Sequence, residues 1–337
     1  MVVNLINERD RNLARQLVEE NGFTFEEEYD LLFGKFEDGE LIATAARDHN
    51  VFKMICIRES HRGGVCLGEL MTALIDSCAY SDIRNFFIFT TLENRGTFGH
   101  LNFTPLITHG NVCLLEYGNG ISNYLLQHSE LKQAGNNGAV VVNCNPFTLG
   151  HRYLIEAAAA QVDHLYVFVV REDRSLFPFD VRMDLVREGT ADLDNVSVLD
   201  TSDYAVSQVT FPGYFLKQDD DRLQLQMEID LLLFARHIAP FFGITHRFIG
   251  TEPFCRTTRC YSETMPRILG NEGIQTIQLE RRESKDTPIS AFRVRKAMKK
   301  EDYETLRTLV PATTLEYLRS TNGRKLLSTS KNYRRRH

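Results

Sequence analysis

The stretch Ala139-Val-Val-Val-Asn-Cys-Asn145-Pro-Phe-Thr148-Leu-Gly150-His151-Arg-Tyr-Leu-Ile-Glu-Ala-Ala-Ala-Ala160 decides how this chain is read. A short apolar run stops at a turn that contains Asn145, Pro146 and Gly150, and His151 then opens an alanine-rich, helix-favouring segment. A strand that enters a helix through a tight loop leaves free backbone N–H groups at the helix start. Together with the positive end of the helix dipole they form an anion site. A histidine at that mouth can donate a hydrogen bond to a phosphate oxygen and, when protonated, stabilise developing charge. The loop has neither the Gly-Lys-Ser/Thr of a Walker A nor the Gly-x-Gly-x-x-Gly of a dinucleotide fold. Asn-Pro turns are common and a histidine at a helix start is often a plain surface residue, so the rest of the chain must decide.

At 337 residues the chain exceeds the usual size of one core, and two domains are expected. A net charge of −6 argues against a nucleic-acid surface. Neither a signal peptide nor a run of transmembrane length is evident, so no membrane partner is expected. The seven cysteines are scattered without a Cys-x-x-Cys pair, which fits reduced, buried thiols in a cytoplasmic protein and no protein-held metal.

The seam falls at Gln127 to Gly138, a polar segment ending in a turn-rich cluster. Before it, helices over Arg9–Glu20 and Leu67–Ala79 accompany a hairpin (Leu31–Lys35 with Leu41–Ala46). Strands at Val51–Ile57, Phe86–Thr90 and Val112–Glu116 complete an α+β domain with a mainly antiparallel sheet. After it, strands at 139–144, 165–170, 196–199, 246–250 and 275–279 alternate with helices at 151–161, 180–190, 222–240 and 263–270. Such alternation predicts βαβ units, a parallel sheet and a ligand crevice at the carboxyl ends of the strands. His151, Arg171, Thr251 and the segment around Ser284 each follow a strand and are expected to share that crevice. Helices at 289–300, 302–309 and 312–320 close the chain. The expected domains are 1–130 and 138–325, with a basic, disordered tail over 326–337.

A second helix start reads Thr287-Pro-Ile289-Ser290-Ala-Phe292-Arg293-Val-Arg295, with Pro288 supplying a fixed φ and Ser290 a plausible cap. With Thr148 and His151 upstream, the pair resembles the nucleotidylyltransferase superfamily. Those enzymes join a Thr/His-x-Gly-His loop to an Ile-Ser-x-Ser/Thr-x-x-Arg helix start. Ile289, Ser290 and Arg295 match the second motif, whereas Phe292 stands where the family usually carries a hydroxyl.

Over nearly its whole length the chain is similar to the citrate lyase ligase family. The residues that carry this are Asn145 to Ile155, Gly189-Thr-Ala-Asp192, Thr210 to Phe215, Thr245 to Arg256 and Pro288 to Arg295. The resemblance implies an α/β protein: an N-terminal α+β domain like the GCN5-related acetyltransferases, then a Rossmann-like parallel-sheet nucleotidylyltransferase domain. It implies an ATP-dependent ligase in which acetate attacks the α-phosphate to give acetyl-adenylate and pyrophosphate. The acetyl group then passes to the thiol of a CoA-like prosthetic group on the citrate lyase acyl-carrier subunit, with Mg²⁺ accompanying ATP.

Under that resemblance His151, Thr148 and Arg295 are the catalytic candidates. ATP would be bound by Asn143, Asn145, Pro146, Phe147, Gly150, Arg171, Gly250, Thr251, Glu252, Ile289 and Ser290. A surface ion pair with Glu172 or Asp173 explains Arg171 as readily, and turn geometry explains Thr251 and Glu252 as readily. In the first domain, Arg62-Gly63-Gly64-Val65-Cys66-Leu67-Gly68 stands where acetyltransferases bind acyl-CoA pyrophosphate. Val65 replaces the expected glycine, so a docking place for the CoA-like arm is a better reading than a second active enzyme. His61 and His100 read as surface or capping residues. Two other function classes stay open: a nucleotidylyltransferase that builds a dinucleotide-type cofactor, and an acetyl-CoA-dependent acetyltransferase.

Overall fold

The computed structural model describes the chain except residues 80, 82, 172–174, 208, 210–219, 252–255, 282–286 and 331–337. It divides into two compact units. Met1–Leu126 group with Gln208–Ile229, and Gln127–Ser207 group with Asp230–His337.

The first unit contains β1 (Val2–Asn4), α1 (Glu8–Glu20), β2 (Leu31–Glu37), β3 (Glu40–Asp48), β4 (Val51–Ile57), α2 (Cys66–Asp76), β5 (Phe86–Thr91), α3 (Arg95–Gly99), β6 (Phe103–His109), β7 (Val112–Tyr117) and α4 (Gly120–Gln127). Its seven-stranded sheet runs β1-β2-β3-β4-β5-β7-β6 and is antiparallel except at β4·β5. That parallel junction pairs only Val51 with Phe87 and Phe52 with Ile88. Helix α1 packs Ala14, Leu17 and Val18 on one face of the sheet, and α2 packs Leu70, Met71 and Leu74 into the other cluster. The expected strands and both helices are present. Strand β6 (FTPLITH) was not expected, because Pro105 interrupts its alternation; it forms nonetheless as an edge strand with a register shift there, where a missing N–H is tolerated.

The second unit starts with β8 (Asn137–Val142), α5 (Leu149–Ala159), β9 (His164–Val169), α6 (Phe179–Gly189) and β10 (Val196–Asp200). Helix α7 (Asp220–Leu233), whose residues up to Ile229 group with the first unit, passes through a π-turn at Phe234–Ile238 into α8 (Ala239–Phe242). Then come β11 (Ile244–Gly250), α9 (Arg256–Asn271), β12 (Gln275–Leu279), α10 (Ala291–Lys299), α11 (Tyr303–Arg307), α12 (Ala312–Arg319) and α13 (Thr321–Ser330). All five strands are parallel, in the order β10-β9-β8-β11-β12. Strand β9 (HLYVFV) is buried from Leu165 onward, as a strand covered on both faces must be, and its aromatic and β-branched residues suit that position. The strand order reverses between β8 and β11, and the crevice at the carboxyl ends there is where such sheets take ligands. The loop after β8 opens into it.

Two boundaries differ from expectation. Helix α10 starts at Ala291, so Pro288 lies ahead of the Ser290 cap rather than at the first helical position. Helix α13 runs through Ser330, into the stretch read as a tail. No described helix is long and apolar enough to cross a membrane.

Candidate active site

Thr148 caps α5, with its Oγ accepting the His151 N–H at 3.2 Å. The imidazole returns the contact: its Nδ1 accepts the Thr148 N–H at 3.1 Å and lies 3.0 Å from the Thr148 hydroxyl. This is a capping box in which histidine takes the place usually held by a Glu or Gln side chain. An Nδ1 that accepts a backbone N–H carries no proton, so the ring proton sits on Nε2. Burial, with the Arg281 and Arg295 guanidinium groups nearby, pushes the imidazole from its ordinary value near 6.5 down to about 3. Of the two roles open to His151, the ring so placed is suited to that of a neutral Nε2–H donor.

Thr148 is 1 % exposed and bonded through its hydroxyl to His151, which holds the ring in place. Phe147 is fully buried, its ring near-parallel to that of His151 with centroids 6.1 Å apart. It packs in the core of the second unit beneath the loop. The Gly189-Thr-Ala-Asp192 segment is explained by the same packing. A Cβ on Gly189 would lie 2.3 Å from the Phe147 ring, and Asp192 takes Arg152 of α5 in a two-point pair at 2.5 and 2.7 Å. The loop is thereby fixed before any ligand arrives.

Two further residues complete the scaffold. Arg182 of α6, fully buried, donates to the carbonyls of Phe177, Asn143 and Val170 and to the Asn143 Oδ1. Asn143 is therefore spent on the loop, its amide also reaching Ser175 at 3.2 Å. Asn145 accepts the Phe177 N–H through Oδ1 at 3.0 Å. Its Nδ2 is buried and has no hydrogen-bond partner among the described residues. Pro146, joined to Asn145 by a cis peptide, is buried beside it.

The late helix closes on this loop. A Cβ on Gly150 would lie 3.2 Å from the Ile289 carbonyl oxygen, so glycine lets the two motifs touch through their backbones. Ser290 caps α10 by accepting the Arg293 N–H at 3.3 Å. Arg295, 5 % exposed, donates through Nη1 to the Asn145 carbonyl at 2.5 Å. Arg293 turns away and bonds the carbonyls of Thr287 and Pro288. Phe292 is 52 % exposed.

On the neighbouring strand, Gly250 ends β11, and Thr251 donates its N–H to the Leu279 carbonyl at 3.0 Å. Arg281, just past β12, donates through Nε to the Thr251 carbonyl. Arg281 was not singled out from the sequence, although it follows a strand end as Arg171 and Thr251 do. Arg171 is exposed, donates its N–H to Thr201 at 3.1 Å, and lays its guanidinium 5.4 Å from the Phe179 ring centroid. Glu172, Asp173, Ser284 and Glu252 lie outside the described residues, as does the Thr210 to Phe215 segment.

The described charges around His151 are thus cationic, and no group of three or more His, Cys, Asp or Glu among the described residues could hold a metal. A helix start with an Nε2–H donor and two arginines suits a polyphosphate. It does not suit a free divalent cation.

A family model described as the citrate lyase ligase C-terminal domain matches residues 137–318. The chain belongs to the citrate lyase ligase family. The citrate (pro-3S)-lyase ligase of Escherichia coli K12 is 37% identical over 313 residues, covering 90% of this chain and 89% of that one. That of Haemophilus influenzae is 35% identical over 317 residues, covering 91% and 94%. A phosphopantetheine adenylyltransferase of Corynebacterium glutamicum is 32% identical over 113 residues, 33% of this chain and 66% of that enzyme. The ligase relatives extend across both units, so the first unit is part of the family's common body and not an addition peculiar to this chain.

Arg62, Gly63 and Gly64 belong to the first unit. Arg62 bonds the Asn21 Oδ1 at 2.7 Å and the Ile57 carbonyl at 3.3 Å, while Gly63 has φ +77°. His61 pairs with Glu37 at 2.8 Å, and His100 is an exposed residue closing α3.

Proposed function

We propose that this chain is an ATP-dependent acid–thiol ligase that activates citrate lyase. An acetate oxygen attacks the α-phosphorus of ATP. A C(O)O–P bond forms, the bond to the β-phosphate oxygen breaks, and pyrophosphate leaves. The thiol of a CoA-like group on the acyl-carrier subunit then attacks the acetyl carbonyl. A thioester forms, AMP departs and the thiol proton passes to solvent.

The supporting observation is the His151 arrangement within a member of this family: a neutral Nε2–H donor, fixed by Thr148 at a helix start, beside Arg281 and Arg295. Adenylyl transfer asks little covalent help of a protein; it asks for positioning and neutralisation of phosphate charge. His151 and the α5 amides would hold the α-phosphate, and Arg295 with Arg281 the leaving pyrophosphate. Ser290 has already given its oxygen to the cap and would act through it. Mg²⁺ would enter on the ATP phosphates and not on a protein carboxylate cage, because the described surroundings are cationic. In the first unit, the Arg62-Gly63-Gly64 loop is assigned to the carrier's CoA-like arm. Family membership favours this ligase over the dinucleotide-forming and acetyl-CoA-dependent alternatives.

The test is transfer of labelled acetate to the reduced carrier. One AMP and one pyrophosphate per acetyl thioester is the expected stoichiometry. Acetylation from acetyl-CoA without ATP, or release of ADP, would contradict it.

A further inference from the structure

The charge of this chain is unevenly spread. Residues 1–290 carry 41 acidic against 26 basic side chains, whereas residues 291–330, the helices α10 to α13, carry nine Lys or Arg against four Asp or Glu. Within that basic segment, α10 is the helix that meets the phosphate loop. Its Val294, Arg295, Ala297 and Met298 turn inward and are buried. Phe292, Lys296 and Lys299 are exposed, at the i, i+4, i+7 spacing that lines three side chains along one face. Lys300 extends this stripe past the helix end, and α13, packed against α10, exposes Arg324 and Lys325. Lys296 and Lys300 form no ion pair among the described residues.

The stripe starts beside the phosphate loop. Phe292 lies in the first turn of α10, between Ile289, whose carbonyl meets Gly150, and Arg295, which bonds the Asn145 carbonyl. It is 52 % exposed. An exposed aromatic ring beside unpaired cations has the make-up of a protein interface, an apolar anchor with a charged rim. The lysines are poorly placed for the nucleotide. Lys300 stands roughly 15 Å along the axis from Ser290, too far down the helix to serve a phosphate held at its start.

We infer that this face of α10 docks an acidic surface of the acyl-carrier subunit. The carrier's thiol has to reach an acetyl-adenylate formed at the α5 and α10 helix starts, so the protein that bears it must settle on surface that borders them. The outer face of α10 is such a surface, and its charge sets the chemistry of the partner. Opposite charge speeds encounter and fixes orientation, so the carrier presents Asp or Glu to Lys296 and Lys300 and an apolar side chain to Phe292. The acidic remainder of the chain repels the same partner and directs it to this face. The Arg62–Gly64 loop takes the CoA-like arm, and the α10 face takes the carrier's folded body. This inference rests on the ligase reading and names the surface on which its protein substrate sits.

The test uses the full chain and the acyl-carrier subunit with its prosthetic group reduced. Lys296→Glu/Lys300→Glu should raise KM for the carrier at least about tenfold, while acetate-dependent pyrophosphate exchange and KM for ATP keep their wild-type values. Added salt should weaken carrier use by the wild type and affect the double variant far less. Lys296→Ala/Lys300→Ala should shift KM in the same direction by less, which keeps the test readable if charge reversal disturbs folding. Phe292→Ala should raise KM for the carrier a few-fold and keep the wild-type salt dependence. An unchanged KM for the carrier in both double variants would overturn the proposal. So would a rise in KM for ATP instead, which would make the stripe a guide for nucleotide. Salt-sensitive binding of RNA, abolished by the double reversal while carrier use survives, would also overturn it. If a labelled carrier binds the wild type and not the double reversal, as read by anisotropy, yet receives no acetyl group, the docking face stands and the ligase reading falls.

Discussion

Each unit of this protein carries a strand that runs through a loop into a helix, with glycine in the loop or in the first turn of the helix, and the two loops are built differently. Before α5, the Asn143–Thr148 loop is fixed on every side by the Thr148–His151 capping box, the Arg182 contacts and the Arg295 bond to Asn145. Before α2, the Arg62–Val65 loop has no side-chain cap, Val65 is 70 % exposed, and Arg62 is bonded to Asn21 and Ile57. A preorganised loop stabilises developing charge without reorganising at the moment of reaction. An exposed loop with a Cβ where glycine is expected suits a weaker, docking contact. The contrast is what the proposed division of labour needs, with phosphate chemistry at α5 and recognition of the carrier at α2.

The largest effect expected is at Arg295, a strut of the loop and, in the proposed reaction, a phosphate ligand. Arg295→Ala should slow adenylation by about 10³-fold or more, in the range found for arginines that stabilise phosphoryl-transfer charge. It should also lower stability by roughly 1–3 kcal/mol, because the Asn145 carbonyl loses a charged donor. Arg295→Lys should recover only part of the rate, since an ammonium lacks the planar fork. Single-turnover kinetics and chemical denaturation measure the two effects separately. A silent Arg295→Ala with a damaging Arg293→Ala would move the phosphate role to the wrong side of α10.

A smaller effect is expected at Thr148. Thr148→Val keeps the shape but removes the cap and the partner of Nδ1. It should cost about 1 kcal/mol of stability and about tenfold in adenylation, whereas Thr148→Ser should retain most of both. Equal activity of Val and wild type would mean that the hydroxyl has no part in orienting His151.

The smallest effect is at the other loop. Arg62→Ala should leave adenylation unchanged while raising KM for the acyl-carrier a few-fold, as loss of one exposed charge contact does. A drop in adenylation in this variant, measured without carrier, would erase the distinction between the loops.

Much of this was legible in the chain itself. The parallel strands of the second unit and the helix starts at α5 and α10 follow from apolar runs, capping residues and the motif glycine, all local signals. What was not legible depends on side chains meeting across the fold. Phe147 reads as a loop residue until Gly189 is seen to receive its ring. Arg182 and Arg281 look like ordinary surface arginines in sequence, because only tertiary structure brings them to the carbonyls they bind. The charge state of His151 could not be read either, since its neighbours Arg281 and Arg295 are over a hundred residues away in the chain. Arg247, inside a segment singled out for its resemblance, gave no hint that its guanidinium is buried, with Nε and Nη1 lacking a hydrogen-bond partner among the described residues.

The most direct test of the central claim is acetate-dependent exchange of labelled pyrophosphate into ATP, measured without carrier on the wild type and on His151→Ala. The wild type should exchange only when acetate is present. The variant, folded to the same melting temperature within a few degrees, should be slower by about 10²–10³-fold, the worth of one preorganised donor at about 2.7–4 kcal/mol. Exchange that persists near the wild-type rate in His151→Ala, or that proceeds without acetate, would contradict adenylation at this helix start.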